Sequence, residues 1–264
     1  MMAAVSTVVG LLFTVYLTLA LLLTLPPLWA ALLIMPAGRR ADRLVRFWSR
    51  FIVRATFCRL RVSGLDHLAG SLPAVFVSNH RSYVDAVVVM AAIPAEFRFV
   101  AFHGVLTWPV VGTAIRKAGH LTVNRADRAA RLLCARAMTE TLRRGHSLFV
   151  FPEGMASPTS ELLPFRLGAF RAAVEAGRPI VPMTLDGTGA MLPMHGALLR
   201  PAPLGVTIHA PIAPAARNRP EMGRLRRAAR REMAPTPSRA DEAAGTTQKV
   251  RRATHSRSRE STTT

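Results

Sequence analysis

Acidic residues, lysine and cysteine are all scarce in this 264-residue chain. Only 15 Asp and Glu residues face 35 Lys and Arg, which gives a formal net charge of +20 at pH 7. The two cysteines, Cys58 and Cys134, have a spacing that fits neither a metal site nor a disulfide framework. Half of the residues are hydrophobic, which excludes disorder for most of the chain. Such a basic surface suits nucleic acid, a membrane or an anionic substrate, and the position of the charge has to decide among them.

Charge is absent from residues 1–38, and residues 8–35 are almost wholly apolar. About 20 such residues span a bilayer as a helix. Pro26-Pro27 removes backbone donors and clashes with the preceding turn. Two structures are therefore open: a spanning helix over about residues 5–25 followed by a broken segment, or two short helices in a re-entrant hairpin. A secretory signal fits less well, because the run is too long and has neither a basic start nor a small-residue cleavage site.

The segment 1–38 is thus predicted to be a membrane anchor, and residues 39–60 a basic amphipathic helix. Six apolar residues share one face of that helix and four arginines another: Leu44, Phe47, Trp48, Phe51, Ile52 and Ala55, against Arg43, Arg46, Arg50 and Arg54. An aromatic face beside a cationic stripe suits the headgroup layer. The alternative is a surface helix that packs on the following domain with its arginines in water. Arginines directly after an anchor predict that the rest of the chain is cytoplasmic, on an inner membrane.

Residues 61–215 alternate short β-rich runs with helical stretches. Predicted strands cover residues 74–78, 121–123, 147–151, 180–185 and 206–210. Predicted helices cover residues 83–92, 126–144 and 167–176, the last ended by Gly177, and the longest carries an apolar stripe of Ala130, Leu133, Ala137, Met138 and Leu142. This order predicts a single α/β domain with a largely parallel or mixed sheet flanked by helices. Ligands of such domains bind beyond the carboxyl ends of strands.

His80 and Asp85 follow the first of these strands, in the segment Asn79-His80-Arg-Ser82-Tyr-Val-Asp85. On a continuous helix their spacing keeps the side chains apart. If His80 lies in the turn and the helix begins near Ser82, they meet. A neutral histidine oriented by a carboxylate is a suitable general base for a hydroxyl. The alternative is purely structural: Ser82-x-x-Asp85 also matches a capping box.

Two further groups follow later strands. Phe151-Pro-Glu153-Gly154 ends one strand, and its proline and glycine predict a tight turn that holds the Glu153 carboxylate. Taken alone, this is more typical of a simple turn with a solvated carboxylate. Arg125 ends another strand, where a guanidinium can bind a phosphate bidentately. In a chain with so many arginines, a lone one is more typical of the surface.

Taken together and in order, these groups resemble the four motif blocks of the glycerolipid acyltransferase family, of which lysophosphatidic acid acyltransferase is the central member. The blocks are Asn79-His80-x-x-x-x-Asp85, Gly119-x-x-x-x-x-Arg125, Phe151-Pro-Glu153-Gly154 and Val181-Pro182-x-x-x-x-Gly187. The resemblance implies acyl transfer from acyl-CoA or acyl-carrier protein to a lysophospholipid hydroxyl. It makes His80 the general base and Asp85 its orienting carboxylate, and it assigns substrate binding to Asn79, Arg125, Glu153, Gly154 and Pro182. No cofactor or metal is implied, since the thioester is already activated.

The chain departs from the family pattern at two cationic positions. Met155-Ala156 stands where Thr-Arg usually follows the third block's glycine, and Phe102 stands where a lysine is common. Arg166 is a candidate replacement for the missing arginine. The resemblance implies 1-acyl-glycerol-3-phosphate as the acceptor. The loss of two cationic positions leaves another lyso-lipid, such as a lyso-ornithine lipid, as the alternative.

The last predicted region, residues 216–264, is a short basic helix over about residues 217–233 and a disordered tail. It supports a hypothesis of another class, a non-enzymatic basic protein that binds membranes or nucleic acid. No aromatic residue follows Phe170, so base stacking is not available there and nucleic acid is a poor fit.

Overall fold

A seven-stranded mixed sheet forms the centre of the molecule. The computed structural model describes residues 2–234 apart from 160, 195 and 197. In that part of the chain the strands are β1 (Leu60–Ser63), β2 (Val75–Ser78), β3 (Phe97–Phe102), β4 (Leu121–Val123), β5 (Ser147–Val150), β6 (Ile180–Asp186) and β7 (Leu204–Ile208). Their order is β1-β7-β6-β2-β5-β3-β4, with every pair parallel except β6–β7. The predicted α/β fold is confirmed.

Helices cover both faces of this sheet because side chains alternate along each strand. Phe76 and Phe149 are buried in one core with residues of α2 and α3, whereas Val75 and Leu148 are buried in another with α5, α6 and α8. The described helices are α1 (Met2–Ile34), α2 (Arg39–Ala55), α3 (Val84–Ala92), α4 (Pro109–Ala118), α5 (Arg128–Arg143), α6 (Gly168–Ala176), α7 (Thr188–Met191) and α8 (Arg219–Glu232). Two 3-10 turns cover Leu65–Leu68 and His103–Thr107.

All five predicted strands and all three predicted helices of the domain exist, with bounds shifted by at most two residues. Gly177 ends α6 in the left-handed conformation, as predicted (φ 66°). Four elements of the domain, β1, β3, α4 and α7, were not predicted from the sequence. The signals for α4 were present, because Pro109 opens its first turn and left-handed Gly119 (φ 71°) ends it.

The N-terminal helix differs from both predicted structures. α1 continues through Pro26-Pro27 to Ile34, with neither a break nor a hairpin. Its second half packs on α2 and α4, with a hydrogen bond from Trp29 Nε1 to Thr113 Oγ1 (3.2 Å). Lys117 Nζ donates to the carbonyl oxygens of Leu33 and Met35 at the helix end (3.2 and 2.6 Å). These tertiary contacts offset the backbone hydrogen bonds that the two prolines remove. By length and composition, Val5–Ile34 is the one described helix able to cross a membrane.

The faces of α2 also differ from the prediction. Arg46, assigned to the exposed cationic stripe, is buried. It pairs with Asp42 (2.7 Å), donates to the Ile93 carbonyl (2.9 Å) and lies over the Phe97 ring. The predicted helix was also too long, because Leu60 already belongs to β1. Phe47 and Phe51 remain exposed, so α2 packs on the domain by one side and presents aromatic rings on another.

The basic helix α8 packs on the domain. Leu225 and Ala229 are fully buried in the core shared with α5 and α6. Met1–Met233 form one compact unit, so this unit continues past residue 215, where the sequence analysis ended the domain. The predicted tail from residue 235 onward lies outside the described residues.

Candidate active site

The candidate residues gather at one edge of the sheet. Strands β2, β5, β3 and β4 are mutually parallel neighbours, so their carboxyl ends meet. His80 follows β2, Glu153 follows β5 and Arg125 follows β4. Three of the four motif blocks, far apart in the chain, therefore converge on this edge.

His80 and Asp85 form the predicted pair. His80 lies in the turn, and its Nδ1 is 2.7 Å from Asp85 Oδ2. The same oxygen accepts the backbone N–H groups of Arg81 (2.7 Å) and Ser82 (3.0 Å). Asp85 is fully buried. Because its carboxylate accepts two backbone N–H groups, we assign the Nδ1 proton of a neutral His80 to this bond, which leaves the Nε2 lone pair free.

The third block surrounds His80. Glu153 Oε1 accepts the backbone N–H of His80 (2.9 Å), and Oε2 accepts that of Leu163 (2.7 Å). The N–H of Ser157 donates to the His80 carbonyl (2.7 Å). The Phe151 ring stacks on the imidazole, with centroids 4.1 Å apart and planes 17° apart. Burial raises the pKa of Glu153 from its ordinary value, opposed by these backbone hydrogen bonds and by nearby His80 and Arg81.

A pocket of about 230 Å³ opens beside this group. Three arginines line it, Arg125, Arg131 and Arg166, and in the part of the chain that the structure describes its lining contains no carboxylate. Gly168 and Ala169, at the start of α6, also line it, so the positive end of a helix dipole adds to the three charges. Burial, together with the neighbouring Arg166, lowers the pKa of Arg125 from its ordinary value. The arrangement suits a doubly charged anion.

The two departures from the family pattern lie around this pocket. The Arg125 guanidinium lies over the ring of Phe102, 5.2 Å from its centroid, where the pattern has a lysine. Arg166 lies against Gly154, where an added Cβ would come within 2.4 Å of its Nε. Gly154 also has φ 79°, a conformation that favours glycine. Arg166 and Arg125 line the same pocket, and the replacement of the missing arginine by Arg166 stays a prediction.

Three predicted substrate-binding residues have partners within the protein. Asn79 is buried, donates to the Leu185 carbonyl (2.9 Å) and accepts its N–H (2.7 Å), which joins β2 to β6. Pro182 lies inside β6, buried and paired with Val77. Both carboxylate oxygens of Glu153 bind backbone N–H groups. The substrate contacts implied for Asn79, Pro182 and Glu153 stay predictions.

Sequence reasoning missed Arg131 as a pocket residue and did not assign Phe151 a role. Arg131, Cys134, Ala135 and Met138 all line the pocket, and their spacing places them on one face of α5. The predicted apolar stripe was wrong at Leu133, which is 64% exposed, and at Ala137, which is also exposed. That helical spacing was the available signal for Arg131. No local signal pairs Phe151 with His80, because the contact joins two strands.

A histidine–aspartate pair beside an arginine-lined pocket, at the carboxyl edge of an α/β sheet and in this block order, defines a domain of the acyltransferase type. Residues 59–186 match the family described as Acyltransferase. This match places residues 59–186 in the acyltransferase family, as the motif blocks predicted.

Several curated relatives of this chain are named 1-acyl-sn-glycerol-3-phosphate acyltransferase. The chloroplastic 1-acyl-sn-glycerol-3-phosphate acyltransferase LPAT1 of Arabidopsis thaliana is 33% identical over 184 residues, which are 69% of this chain and 51% of that protein. The 1-acyl-sn-glycerol-3-phosphate acyltransferase of Neisseria gonorrhoeae is 35% identical over 127 residues, 47% of this chain and 48% of that protein. The chain spans about half the length of the curated relatives it matches.

A solved structure shares the fold. The crystal structure of the 1-acyl-sn-glycerophosphate acyltransferase PlsC from Thermotoga maritima superposes with a TM-score of 0.70 at 21% identity, covering 88% of this chain and all of that one.

Proposed function

We propose that this protein transfers a fatty acyl group from a thioester, acyl-CoA or acyl-carrier protein, to the free hydroxyl of a lysophospholipid. The observation that carries the proposal is the placement of His80. Its Nδ1 is engaged by Asp85, and none of the described residues bonds to its Nε2. The ring stacks on Phe151, which also lines the arginine pocket, so an anion bound there brings its hydroxyl near the imidazole.

The chemistry follows from this geometry. Nε2 removes the proton of the acceptor hydroxyl while its oxygen attacks the thioester carbonyl. Asp85 holds the tautomer and stabilises the imidazolium that forms. The tetrahedral intermediate then releases the thiolate, which takes the proton from His80. An ester bond replaces the thioester bond, and a free thiol leaves. The thioester is already activated, so no cofactor or metal enters this scheme.

The pocket favours a phosphate-bearing acceptor, and 1-acyl-glycerol-3-phosphate is the acceptor that we propose. Three arginines in the pocket lining and a helix N-terminus match a phosphomonoester, which carries about two negative charges. The names of the relatives agree with this substrate. At about 230 Å³, below the roughly 300–1,000 Å³ of typical ligand pockets, the pocket suits the headgroup and leaves the acyl chain outside. A lyso-ornithine lipid has no phosphate and is the weaker alternative.

We further propose that the protein associates with a membrane through α1, which lies along the domain rather than crossing the bilayer. Thr14 Oγ1 accepts the N–H of Leu199 (2.8 Å), and Met35 is tied to Lys117. These two contacts are about 32 Å apart along the helix, more than the roughly 30 Å hydrocarbon core. A helix held to a charged domain over that length cannot leave it to span the bilayer. Its other side exposes Val8, Leu12, Leu19, Leu22 and Leu23 to lipid.

The proposal is tested by His80→Ala. Membrane fractions with the wild-type or variant protein are incubated with labelled acyl-CoA or acyl-carrier protein and with three acceptors: 1-acyl-glycerol-3-phosphate, a lyso-ornithine lipid and monoacylglycerol. We expect transfer to the phosphate-bearing acceptor and a loss of at least about 100-fold in the variant, the range for removing a general base.

His146→Ala is the matched control, because His146 is an exposed histidine just before β5, at the opposite end of that strand from the candidate site. It should keep full activity. Acyl transfer that persists in His80→Ala would show that His80 is not the general base. A wild-type protein inactive with every acceptor would remove the function itself.

A further inference from the structure

The imidazole of His80 is held by more than Asp85. One hydrogen bond at Nδ1 fixes a point on the ring and leaves the ring plane free to tilt about it. The parallel Phe151 ring, 4.1 Å away, limits that tilt. Phe151 is itself held by Phe149 (5.3 Å between centroids) and Phe99 (6.4 Å), which are buried in the aromatic part of the core. The plane of the imidazole is therefore tied to the rigid centre of the sheet.

The backbone of His80 is held on both sides as well. Its N–H donates to Glu153, and its carbonyl accepts from Ser157. Glu153 is 4% exposed, and its second oxygen binds Leu163. Each Glu153 oxygen thus accepts a backbone N–H, and one of the two donors is His80 itself.

We propose that Phe151 and Glu153 are positioning residues for His80: Phe151 sets the plane of the imidazole, and Glu153 sets the backbone from which it projects. The proposal rests on the proposed function. A displacement of about 1 Å at a reacting group costs on the order of 100-fold in rate. A clamp on the ring face, ring edge and backbone thus controls turnover through the orientation of His80.

The test compares Phe151→Leu, which removes the ring, with Phe151→Tyr, which keeps it. Initial rates are measured over a range of 1-acyl-glycerol-3-phosphate concentrations. We expect Phe151→Leu to lower kcat about 10-fold with an unchanged KM, and Phe151→Tyr to restore most of kcat, because misorientation acts on the chemical step. Phe47→Leu, at an exposed phenylalanine of α2, is the matched control. A raised KM with unchanged kcat would make Phe151 only a pocket wall and overturn the proposal.

Glu153→Gln tests whether the hydrogen bond from Glu153 to the His80 backbone positions the imidazole. Glutamine has one carbonyl oxygen for two N–H donors and directs its own NH₂ group at the other. We expect kcat to fall and KM to stay the same, whereas an acceptor contact at Glu153 would raise KM. If this variant does not fold, as judged by circular dichroism, the Phe151 pair still decides the proposal.

A second readout does not depend on turnover. Removing the stacked ring uncovers one face of the imidazole, so diethyl pyrocarbonate should modify His80 faster in Phe151→Leu than in wild type, measured by mass spectrometry of the His80 peptide. Equal rates together with equal kcat would overturn the proposal. An inactive wild type with faster modification in the variant would instead refute the acyl-transfer function and leave the clamp standing.

Discussion

At the scale of single residues, Asp85 has both of the roles that its sequence position allows. The capping box and the orienting carboxylate are alternatives in the sequence, yet one oxygen, Oδ2, serves both. It accepts the N–H of Ser82, two residues before α3, which is the carboxylate half of the capping box, and it lies 2.7 Å from His80 Nδ1. The positive end of the helix dipole stabilises the same negative charge that orients the imidazole. A structural explanation of such a motif does not exclude a catalytic one.

The prediction at this scale is that Arg166 contributes to binding of the acceptor's phosphate. Arg166→Gln removes one of three cations from the pocket, so KM for 1-acyl-glycerol-3-phosphate should rise about 10-fold or more, the effect of losing one charged hydrogen bond of roughly 1.5–3 kcal/mol. kcat should change little, because Arg166 is not placed at the reacting hydroxyl. Steady-state kinetics with the phosphate-bearing acceptor and with monoacylglycerol give the comparison.

Arg144→Gln serves as its control, since Arg144 is exposed after the end of α5 and pairs with Glu140. An equal KM in wild type and Arg166→Gln would mean that Arg166 does not replace the family's missing arginine.

At the scale of elements, tertiary packing determines whether α1 is continuous and which side of α2 is buried. The prolines in α1 predict a break, but contacts with α2 and α4 keep the helix continuous. In α2 the arginine spacing predicts a solvent-facing stripe. Arg46 instead turns inward, because Asp42 is one helical turn away and the Phe97 ring and Ile93 carbonyl lie opposite. A buried charge is tolerated only with such partners.

The prediction at this scale concerns the placement of α1. In a background with Cys58→Ser and Cys134→Ala, Val5→Cys and Ala37→Cys mark the two ends of the helix, both exposed. A membrane-impermeant maleimide should label both from the side that labels His146→Cys in the domain, because a helix lying along the domain keeps its ends on one side. Labelling of the two ends from opposite sides of the vesicle would show that α1 spans the bilayer.

At the scale of the whole molecule, the boundary of the folded unit lies later than composition indicates. The arginines of α8 resemble a solvated basic tail, yet Arg224 pairs with Glu221, and Arg230 donates to the carbonyls of Leu162 and Leu163. Leu225, Ala229 and Met233 complete a core. These contacts give the helix a structural role in the domain and weaken the reading of α8 as a nucleic-acid-binding element.

Two truncations test this boundary. Removing residues 235–264 should leave activity, melting temperature and nucleic-acid retention unchanged. Removing residues 216–264 should unfold the domain, because the burial of Leu225 and Met233 alone contributes roughly 3–6 kcal/mol, a large part of a typical domain's 5–15 kcal/mol. Differential scanning calorimetry and the acyl-transfer assay measure both. A cooperative, active protein ending at residue 215 would show that α8 is dispensable.

The sequence by itself determined the local features: the charge-free N-terminal run, the strands and helices around the motifs, and the pairing of His80 with Asp85. These follow from periodicity, turn residues and short spacing, which act between near neighbours in the chain. Only the tertiary structure decided that Asn79 joins β2 to β6, that Glu153 binds the backbone of His80, and that Arg131 and Arg166 share a pocket with Arg125. Those contacts join elements that are distant in sequence. Their partners are set by the order of parallel strands, which no short stretch of sequence specifies.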